Sequence, residues 1–174
     1  PTYPPPCSSA ASDVYKRQGI VIAQFISTSA ANSIFDKIKT YFNCDYLNEN
    51  HFEKLNINQI KKLGLSTNKA KTIKELSYLF LNEKGYDLSK LNNVDLNEKL
   101  LSVFGIGPWS VNMYEIFSLG KLNVFTSKDA GLRLAMNKSG MIKPESRWQD
   151  YDEYANKWDP YKSIASLHLW KTVD

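Results

Sequence analysis

The apolar residues of this chain recur at helical spacing almost throughout, and this pattern constrains the fold more than any other feature. Two stripes from Gly19 onward illustrate it: Ala30, Ala31, Ile34, Ile38 and Tyr41, then Ala70, Ile73, Leu76 and Phe80. Because an α-helix turns once in about 3.6 residues, each stripe lies on one helix face. No segment alternates apolar and polar residues as a half-buried strand does. The sequence therefore predicts an all-α fold with no β domain in this chain.

Start and stop signals divide the chain into eight predicted helices. These signals are Ser66, the pair Asp95 and Glu98 as a capping box, Pro108, Gly120, Pro144 and the pair Asp159 and Pro160. The predicted helices are 28–42, 56–63, 67–82, 95–103, 108–119, 129–138, 144–157 and 160–171. The short links between them favour two helical lobes, which we place at 19–122 and 123–174.

Composition sets wide limits on the partners and on the compartment. Lys plus Arg outnumber Asp plus Glu by 22 to 18, and the resulting net charge of +4 tolerates a polyanionic partner without requiring one. Cys7 and Cys44 are too few for a disulfide framework or an iron–sulfur cluster, so we expect a reducing, cytoplasmic setting. The most apolar run, 19–26, is too short to span a membrane, and we expect no membrane partner.

The first eighteen residues, PTYPPPCSSAASDVYKRQ, differ in composition from the rest of the chain. Three consecutive prolines are followed by Ser and Ala, without an apolar face that a fold could bury. We expect residues 1–18 to be a disordered, non-native tail.

The stretch FGIGPWS links predicted helices 95–103 and 108–119 through only four residues, Phe104 to Gly107. This spacing predicts a helix-hairpin-helix. Two glycines allow positive φ in the turn and leave its amides uncovered near the start of the next helix, where an anion such as a phosphate can bind. The predicted binding residues are Phe104, Gly105, Ile106, Gly107 and Ser110. Alternatively, the glycines serve only the tight bend.

Asp129 follows Trp109 by twenty residues and stands directly before the predicted helix AGLRLAM. Taken alone, an aspartate at this place is most simply an N-cap. Its distance from the hairpin is the feature that favours a second, chemical role.

In combination, the segments LSVFGIGPWSVN, VFTSKDAGLR and WDPYKSIASLHLW resemble the helix-hairpin-helix (HhH-GPD) superfamily of DNA base-excision glycosylases, and within it the 3-methyladenine glycosylase II (AlkA-like) branch. The segments IAQFISTSAA and LGLSTNKAKTIKELS extend the resemblance over about Ile20 to Trp170. It implies a two-lobed fold with a cleft between the lobes. It also implies a monomer that acts in base excision repair on double-stranded DNA containing alkylated bases, nucleoid-associated in a bacterial cytoplasm.

The resemblance also implies the roles of individual residues. Asp129 matches the catalytic carboxylate of the family, which stabilises the oxocarbenium-like sugar and orients or deprotonates a water. No organic cofactor is implied and no side-chain metal site, although a monovalent cation at the hairpin backbone is known in relatives. The reaction is the hydrolysis of an N-glycosyl bond.

Aromatic residues fit the substrate, because a flipped base needs flat apolar walls and an alkylated purine carries positive charge. Trp109 and Trp170 match the two tryptophans of the family's pocket. Met113 stands where the family usually has a tyrosine, and Tyr114 follows it, so the resemblance leaves the substrate range open. Each tryptophan could instead be a core residue. We assign Trp148 and Trp158 to the core.

Relatives that also cut the sugar–phosphate backbone carry a lysine at the position of Trp109. Because this chain has no amine there, we predict a monofunctional glycosylase, with Lys121 and Lys128 as the nearby amines that could replace it. The resemblance also implies that Phe25 is the wedge that fills the space left by the extruded base, although Phe25 could simply pack in a helix core.

Several alternatives stay open. Lysines 61, 62, 69, 71 and 74 are predicted to form a solvated face that can also follow phosphates. The AlkA-like branch carries an N-terminal β-rich domain that this chain lacks, so we expect an N-terminally truncated fragment. An inactive fragment is one alternative to an active enzyme. A non-catalytic helix-hairpin-helix DNA-binding module and a helical scaffold for a protein partner are the other candidate functions.

Overall fold

The computed structural model describes residues 28–44, 47, 49–82 and 93–173. Within these ranges the chain forms α-helices and one 3₁₀ turn and no β-strand, which confirms the predicted all-α fold. The helices are α1 Thr28–Phe42, α2 Glu49–Glu53, α3 Ile57–Lys62, α4 Thr67–Asn82, α5 Asn93–Leu101, α6 Pro108–Phe117, α7 Ala130–Lys138, α8 Trp148–Ala155 and α9 Lys162–Trp170. The 3₁₀ turn Asn156–Trp158 follows α8.

Local hydrogen bonds explain where several helices begin. The hydroxyl of Ser66 accepts the Lys69 amide at 3.4 Å at the predicted start of α4. Pro108 is the first residue of α6, where its missing N–H removes no helical hydrogen bond. Asn56 and Gln59 form a capping box at the start of α3, in which each side chain accepts the backbone amide of the other. The sequence pattern did not predict this box.

The predicted bounds of several helices were wrong by one to four residues, and one short helix was missed. α5 begins two residues earlier than expected, so Asp95 and Glu98 lie within the helix rather than at its cap. α8 begins at Trp148 rather than at Pro144. The short helix α2 was not predicted, because Phe52 is the only apolar residue of its ENHFE segment and one residue gives no periodicity.

The described residues up to Tyr114 form one compact unit with its own hydrophobic core. The predicted stripes point inward at Ile38, Ala70 and Ile73, each 0% exposed. Tyr41 is 55% exposed, so the first stripe ends one turn earlier than predicted. The core consists of Phe35, Ile38, Leu47, Phe52, Leu55, Ile60, Leu63, Leu65, Ala70, Ile73, Leu76 and Val103. Since burying one large aliphatic side chain stabilises a fold by about 1.5–3 kcal/mol, this cluster is the main support of the unit.

The described residues from Glu115 onward form a second compact unit. Its helices α7, α8 and α9 bury Leu132, Ala135, Met136, Tyr151, Ala155, Leu169 and Trp170. The Tyr151 hydroxyl donates to Oδ1 of Asn137 at 2.7 Å and so ties α8 to α7. The Ser163 hydroxyl at the start of α9 donates to the carbonyl of Lys121 at 2.6 Å. Buried apolar side chains and a few directed polar bonds therefore fix these helices together.

The two units separate between Tyr114 and Glu115, within α6. The predicted lobe boundary between residues 122 and 123 stays a prediction. The predicted tail 1–18 and the predicted wedge Phe25 lie outside the described residues.

Candidate active site and hairpin

Asp129 lies at the start of α7, where the chain passes from extended to helical backbone. Its φ of −79° and ψ of 118° are non-helical, and its Oδ1 accepts the Leu132 amide at 2.8 Å. The Asp129 amide donates to the carbonyl of Thr126 at 3.2 Å, which closes the preceding turn. The residue is 6% exposed, and the helix dipole places partial positive charge at this end. Asp129 is thus an N-cap, and this role fixes its carboxylate at a helix terminus.

The indole of Trp170 provides a second hydrogen bond to Asp129. Nε1 of Trp170 donates to Oδ1 of Asp129 at 3.0 Å, and the tryptophan is only 2% exposed. The Phe117 ring packs against the indole with a centroid distance of 5.6 Å. With two donors on Oδ1, the carboxylate cannot rotate without breaking both bonds in a buried place, where an unmade bond is costly. Asp129 and Trp170, which come from separate sequence motifs, therefore meet in the second unit.

Gly131 leaves the space in which these two side chains meet. A Cβ at this position would lie 3.1 Å from Oδ1 of Asp129 and 3.3 Å from Cδ1 of Trp170, closer than ordinary contacts. The sequence contains a signal for this contact. A glycine within a helix costs about 1 kcal/mol relative to alanine, so its presence there indicates a packing requirement.

The predicted hairpin joins α5 to α6 and is held by side chains of α4. Gly105 has a φ of 79°, in the left-handed region, and a Cβ there would overlap Oγ1 of Thr72. The Phe104 amide donates to Oε2 of Glu75 at 2.8 Å. The helix-hairpin-helix spans Asn93–Phe117 instead of the predicted 95–119.

Gly107 does not share the positive φ of Gly105, so only one of the two glycines uses the conformation that the sequence allowed in the turn. A Cβ at Gly107 would meet nothing within 4 Å, and its carbonyl accepts the Val111 amide at 3.1 Å as α6 begins. Around it, Phe104 is exposed, Ile106 is half-buried and Ser110 is buried. The backbone is therefore bare next to the N-terminus of α6.

The residues predicted to surround the base fall in different units. Trp109, Met113 and Tyr114 lie on α6 in the first unit, whereas Asp129 and Trp170 lie in the second. Met113 is 0% exposed, Tyr114 is 4% exposed, and Trp109 is half-buried. Their role in receiving a base stays a prediction.

The two tryptophans that we assigned to the core behave differently from each other. Trp148 is 54% exposed, with the guanidinium of Arg133 4.8 Å from its ring centroid, so the core assignment was wrong. Trp158 is half-buried and packs edge-on against Phe125 and Tyr154, at centroid distances of 5.8 and 5.7 Å. Trp158 is thus a packing residue, as predicted.

The lysines of α3 and α4 do not form the single solvated face that we expected. Nζ of Lys74 donates to the carbonyl of Phe52 at 3.3 Å, at the C-terminus of α2, where a cation is favoured. Burial lowers the pKa of Lys69, because it removes water from the ammonium group. Nζ of Lys71 lies 5.8 Å from the Phe104 ring centroid, beside the hairpin. The other two lysines of the predicted face are exposed.

The described ranges contain neither a metal-ligating cluster nor a membrane span. No group of three or more His, Cys, Asp or Glu side chains there is arranged to hold a metal ion. None of the helices there is both long and apolar enough to cross a bilayer.

The fold and the hairpin define a helix-hairpin-helix protein. Residues 19–160 match the HhH-GPD superfamily of base excision DNA repair proteins, and the chain belongs to this family.

The chain is similar in sequence to two longer proteins and matches only part of each. YfjP of Bacillus subtilis (strain 168) is 30% identical over 123 residues, which are 69% of this chain and 42% of YfjP. The DNA-3-methyladenine glycosylase of Saccharomyces cerevisiae is 28% identical, and the match covers 87% of this chain and 63% of the yeast protein. The chain thus spans less than two thirds of either relative.

Among solved structures, the 3-methyladenine DNA glycosylase Mag1 of Schizosaccharomyces pombe in complex with abasic DNA is similar to this chain. It aligns with a TM-score of 0.84 over 99% of this chain and 86% of its own, at 22% identity. At this identity the similarity shows the fold.

Proposed function

We propose that this chain is a monofunctional DNA glycosylase that hydrolyses the N-glycosidic bond of alkylated purines, of the 3-methyladenine type, in double-stranded DNA. The supporting observation is the buried carboxylate of Asp129, which Leu132 and Trp170 hold at the start of α7. Family membership supports base excision repair as the process. The name of the yeast relative supports the substrate class.

The proposed chemistry relies on the fixed carboxylate of Asp129. Departure of the base develops positive charge on the sugar, and a preorganised anion in a dry place stabilises this charge without reorganising. The same carboxylate orients or deprotonates the attacking water. Because an alkylated purine is already a good leaving group, the scheme needs no strong general acid and no organic cofactor.

The side chains proposed to contact the base are aromatic, except for Met113, whose thioether is polarizable. Trp109 offers a half-buried indole, and a flat π face attracts a cationic alkylated purine. Met113, Tyr114 and Trp170 are proposed as further pocket residues. Phe25 remains the proposed wedge.

The proposed product is an abasic site on an intact strand. Trp109 occupies the position at which bifunctional relatives carry the lysine that forms a Schiff base. Nζ of Lys121 is paired with Oε1 of Glu115 at 2.7 Å, and this pairing opposes its use as a nucleophile. Lys128 is exposed and stays the amine to test.

The hairpin is the proposed contact to a DNA phosphate. The bare backbone at Gly107 and the N-terminus of α6 together suit an anion. The carbonyls of Val103 and Gly107 each accept one amide, and backbone carbonyl oxygens of this kind would be the ligands of the monovalent cation that the family implies. When bound, such a cation would add positive charge beside the phosphate. We propose that the protein acts as a monomer on DNA, without a membrane partner, in the bacterial nucleoid.

Base release from alkylated DNA tests the proposal. The protein is incubated with dimethyl-sulfate-treated duplex DNA, free bases are quantified, and the strands are analysed before and after alkali. We expect 3-methyladenine to accumulate, with strand breaks only after alkali and no borohydride-trapped adduct.

Other outcomes would identify the alternatives. Strand cleavage without alkali contradicts monofunctional hydrolysis. DNA binding without base release favours a non-catalytic helix-hairpin-helix module or an inactive fragment. Absence of both favours the scaffold for a protein partner.

A further inference from the structure

Ser127 lies two residues before Asp129, and side chains of two helices bind all of its polar groups. Its amide donates to Oδ1 of Asp152 at 3.0 Å, and its hydroxyl donates to Oδ2 of the same carboxylate at 2.7 Å. Its carbonyl accepts Nη1 of Arg133. Ser127 is 4% exposed, whereas Asp152 reaches it from an exposed position, so these bonds are partly buried.

Asp152 reaches this turn from α8. Trp148 and Asp152 are four residues apart on α8 and therefore lie on one face of the helix. Arg133 of α7 donates to the Ser127 carbonyl while its guanidinium lies over the Trp148 ring. One face of α8 is thus linked to the segment that precedes Asp129 both directly and through Arg133.

The turn that carries Asp129 has little internal support. Its backbone bond runs from the Asp129 amide to the Thr126 carbonyl at 3.2 Å, and the Lys128 amide reaches Oγ1 of Thr126 at 3.3 Å. Both bonds stay within the turn. Asp152 adds a direct contact from α8 to this turn, two residues before Asp129.

We propose that Asp152 is a positioning residue for the carboxylate of Asp129. A carboxylate suits this role because its two oxygens accept two donors at once, whereas an amide side chain has one acceptor oxygen. The consequence for catalysis rests on the proposed glycosylase function. The consequence for the geometry of Asp129 does not depend on it.

Three substitutions separate positioning from general destabilisation. Asp152→Ala removes both acceptors, and Asp152→Asn keeps one. Asp150→Ala is the matched control, because Asp150 is also on α8 and its carboxylate binds the Arg147 amide at 2.8 Å, but it does not contact the Ser127 turn. If Asp152→Ala does not fold, Ser127→Ala, which removes only the hydroxyl donor, replaces it.

The first measurement is independent of catalysis. The indole N–H resonance of Trp170, assigned with Trp170→Phe, reports the hydrogen bond to Asp129. We expect Asp152→Ala to shift this resonance, Asp152→Asn to shift it less, and Asp150→Ala to leave it in place. A resonance that does not move in Asp152→Ala or Ser127→Ala overturns the proposal.

The second measurement is the single-turnover rate of 3-methyladenine release, together with the Kd for duplex DNA. We expect Asp152→Ala to lower the rate by about tenfold to a hundredfold, as displacements near 1 Å do, with little change in Kd. Asp152→Asn should recover part of the rate, and Asp150→Ala should match the parent. If the parent releases base, an equal rate in Asp152→Ala overturns the proposal. A parent that releases no base, with the Trp170 resonance still shifted by Asp152→Ala, supports the positioning role and rejects the glycosylase assignment.

Discussion

At the scale of single residues, the candidate active site depends on how Asp129, Gly131 and Trp170 fit together. One carboxylate oxygen accepts both the Leu132 amide and the Trp170 indole, and the absence of a side chain at Gly131 makes the approach of the indole possible. A small change of volume here should therefore disturb the orientation of the carboxylate more than it disturbs the helix.

We predict that Gly131→Ala lowers the rate of base release. The added methyl group requires Asp129 Oδ1 and Trp170 Cδ1 to move by a few tenths of an ångström. Overpacking of this kind costs about 1–3 kcal/mol, against a gain of about 1 kcal/mol in helix propensity. Thermal unfolding and single-turnover excision would measure both effects.

The double variant Gly131→Ala with Trp170→Phe supplies the control, because the smaller ring leaves room for the methyl group. Its free energy of unfolding should exceed the value expected by adding the two single effects. Strict additivity would show that Gly131 and Trp170 do not crowd each other.

At the scale of elements, the two hairpin glycines perform different tasks. Gly105 needs its left-handed φ and its contact with Thr72 of α4, so it serves the folding of the hairpin. Gly107 has ordinary φ and open space beside it, and folding gives no reason for a glycine there. Close approach of a ligand to the backbone would be a reason for a glycine at this position.

We predict that Gly105→Ala destabilises the fold by about 1–3 kcal/mol, because it combines backbone strain with a steric overlap. Gly107→Ala should change the free energy of unfolding by less than about 1 kcal/mol and weaken binding to duplex DNA. Chemical denaturation and fluorescence anisotropy would measure the two quantities. Unchanged DNA affinity in Gly107→Ala would contradict a phosphate contact at the hairpin.

The start of α9 carries a pH-dependent contact. Nδ2 of Asn123 donates to Oδ1 of Asp159 at 2.7 Å, and Nζ of Lys162 lies 3.3 Å from the same oxygen. These partners, Asn123 first, lower the pKa of Asp159 below its ordinary value of 3.8. Because the pKa is lower in the folded chain, the contact stabilises the fold above pH 3.8, and this contribution is lost as the pH falls through the folded pKa.

We predict that Asn123→Ala raises the pKa of Asp159 towards 3.8, as measured by NMR titration. Lys162→Gln is the comparison, because Nζ of Lys162 lies 3.3 Å from the same oxygen and its removal should raise the pKa by less than the loss of Asn123. An Asp159 pKa that stays the same in Asn123→Ala would assign the lowering to Lys162 instead.

At the scale of the whole molecule, the sequence predicted periodic elements well and contacts between distant segments poorly. Helices α1 and α4 have the predicted bounds, because long apolar stripes and the Ser66 cap define them. The bonds from Asp152 to Ser127 and from Glu75 to Phe104 join residues 25 and 29 positions apart, and no local pattern marks such partners. The distance of Asp129 from the hairpin is visible in the sequence, whereas its hydrogen bond to Trp170 is visible only in the structure.

We predict that duplex binding weakens steeply with salt, because a chain of net charge +4 meets a polyanion. The slope of log Kobs against log salt should be about −0.9 for each phosphate neutralised. Lys71→Gln, beside the hairpin, should reduce the slope by about 0.9, whereas Lys37→Gln, an exposed position of α1, should leave it unchanged. A slope near zero for the parent would favour a protein partner over DNA.

The central claim is that the carboxylate of Asp129 drives base release, and Asp129→Asn tests it most directly. Asparagine caps helices as well as aspartate and can accept the same two hydrogen bonds, so the fold should persist with a similar melting temperature. We expect the single-turnover rate of 3-methyladenine release to fall by about a hundredfold or more. Release at the parent rate from folded Asp129→Asn would contradict the claim.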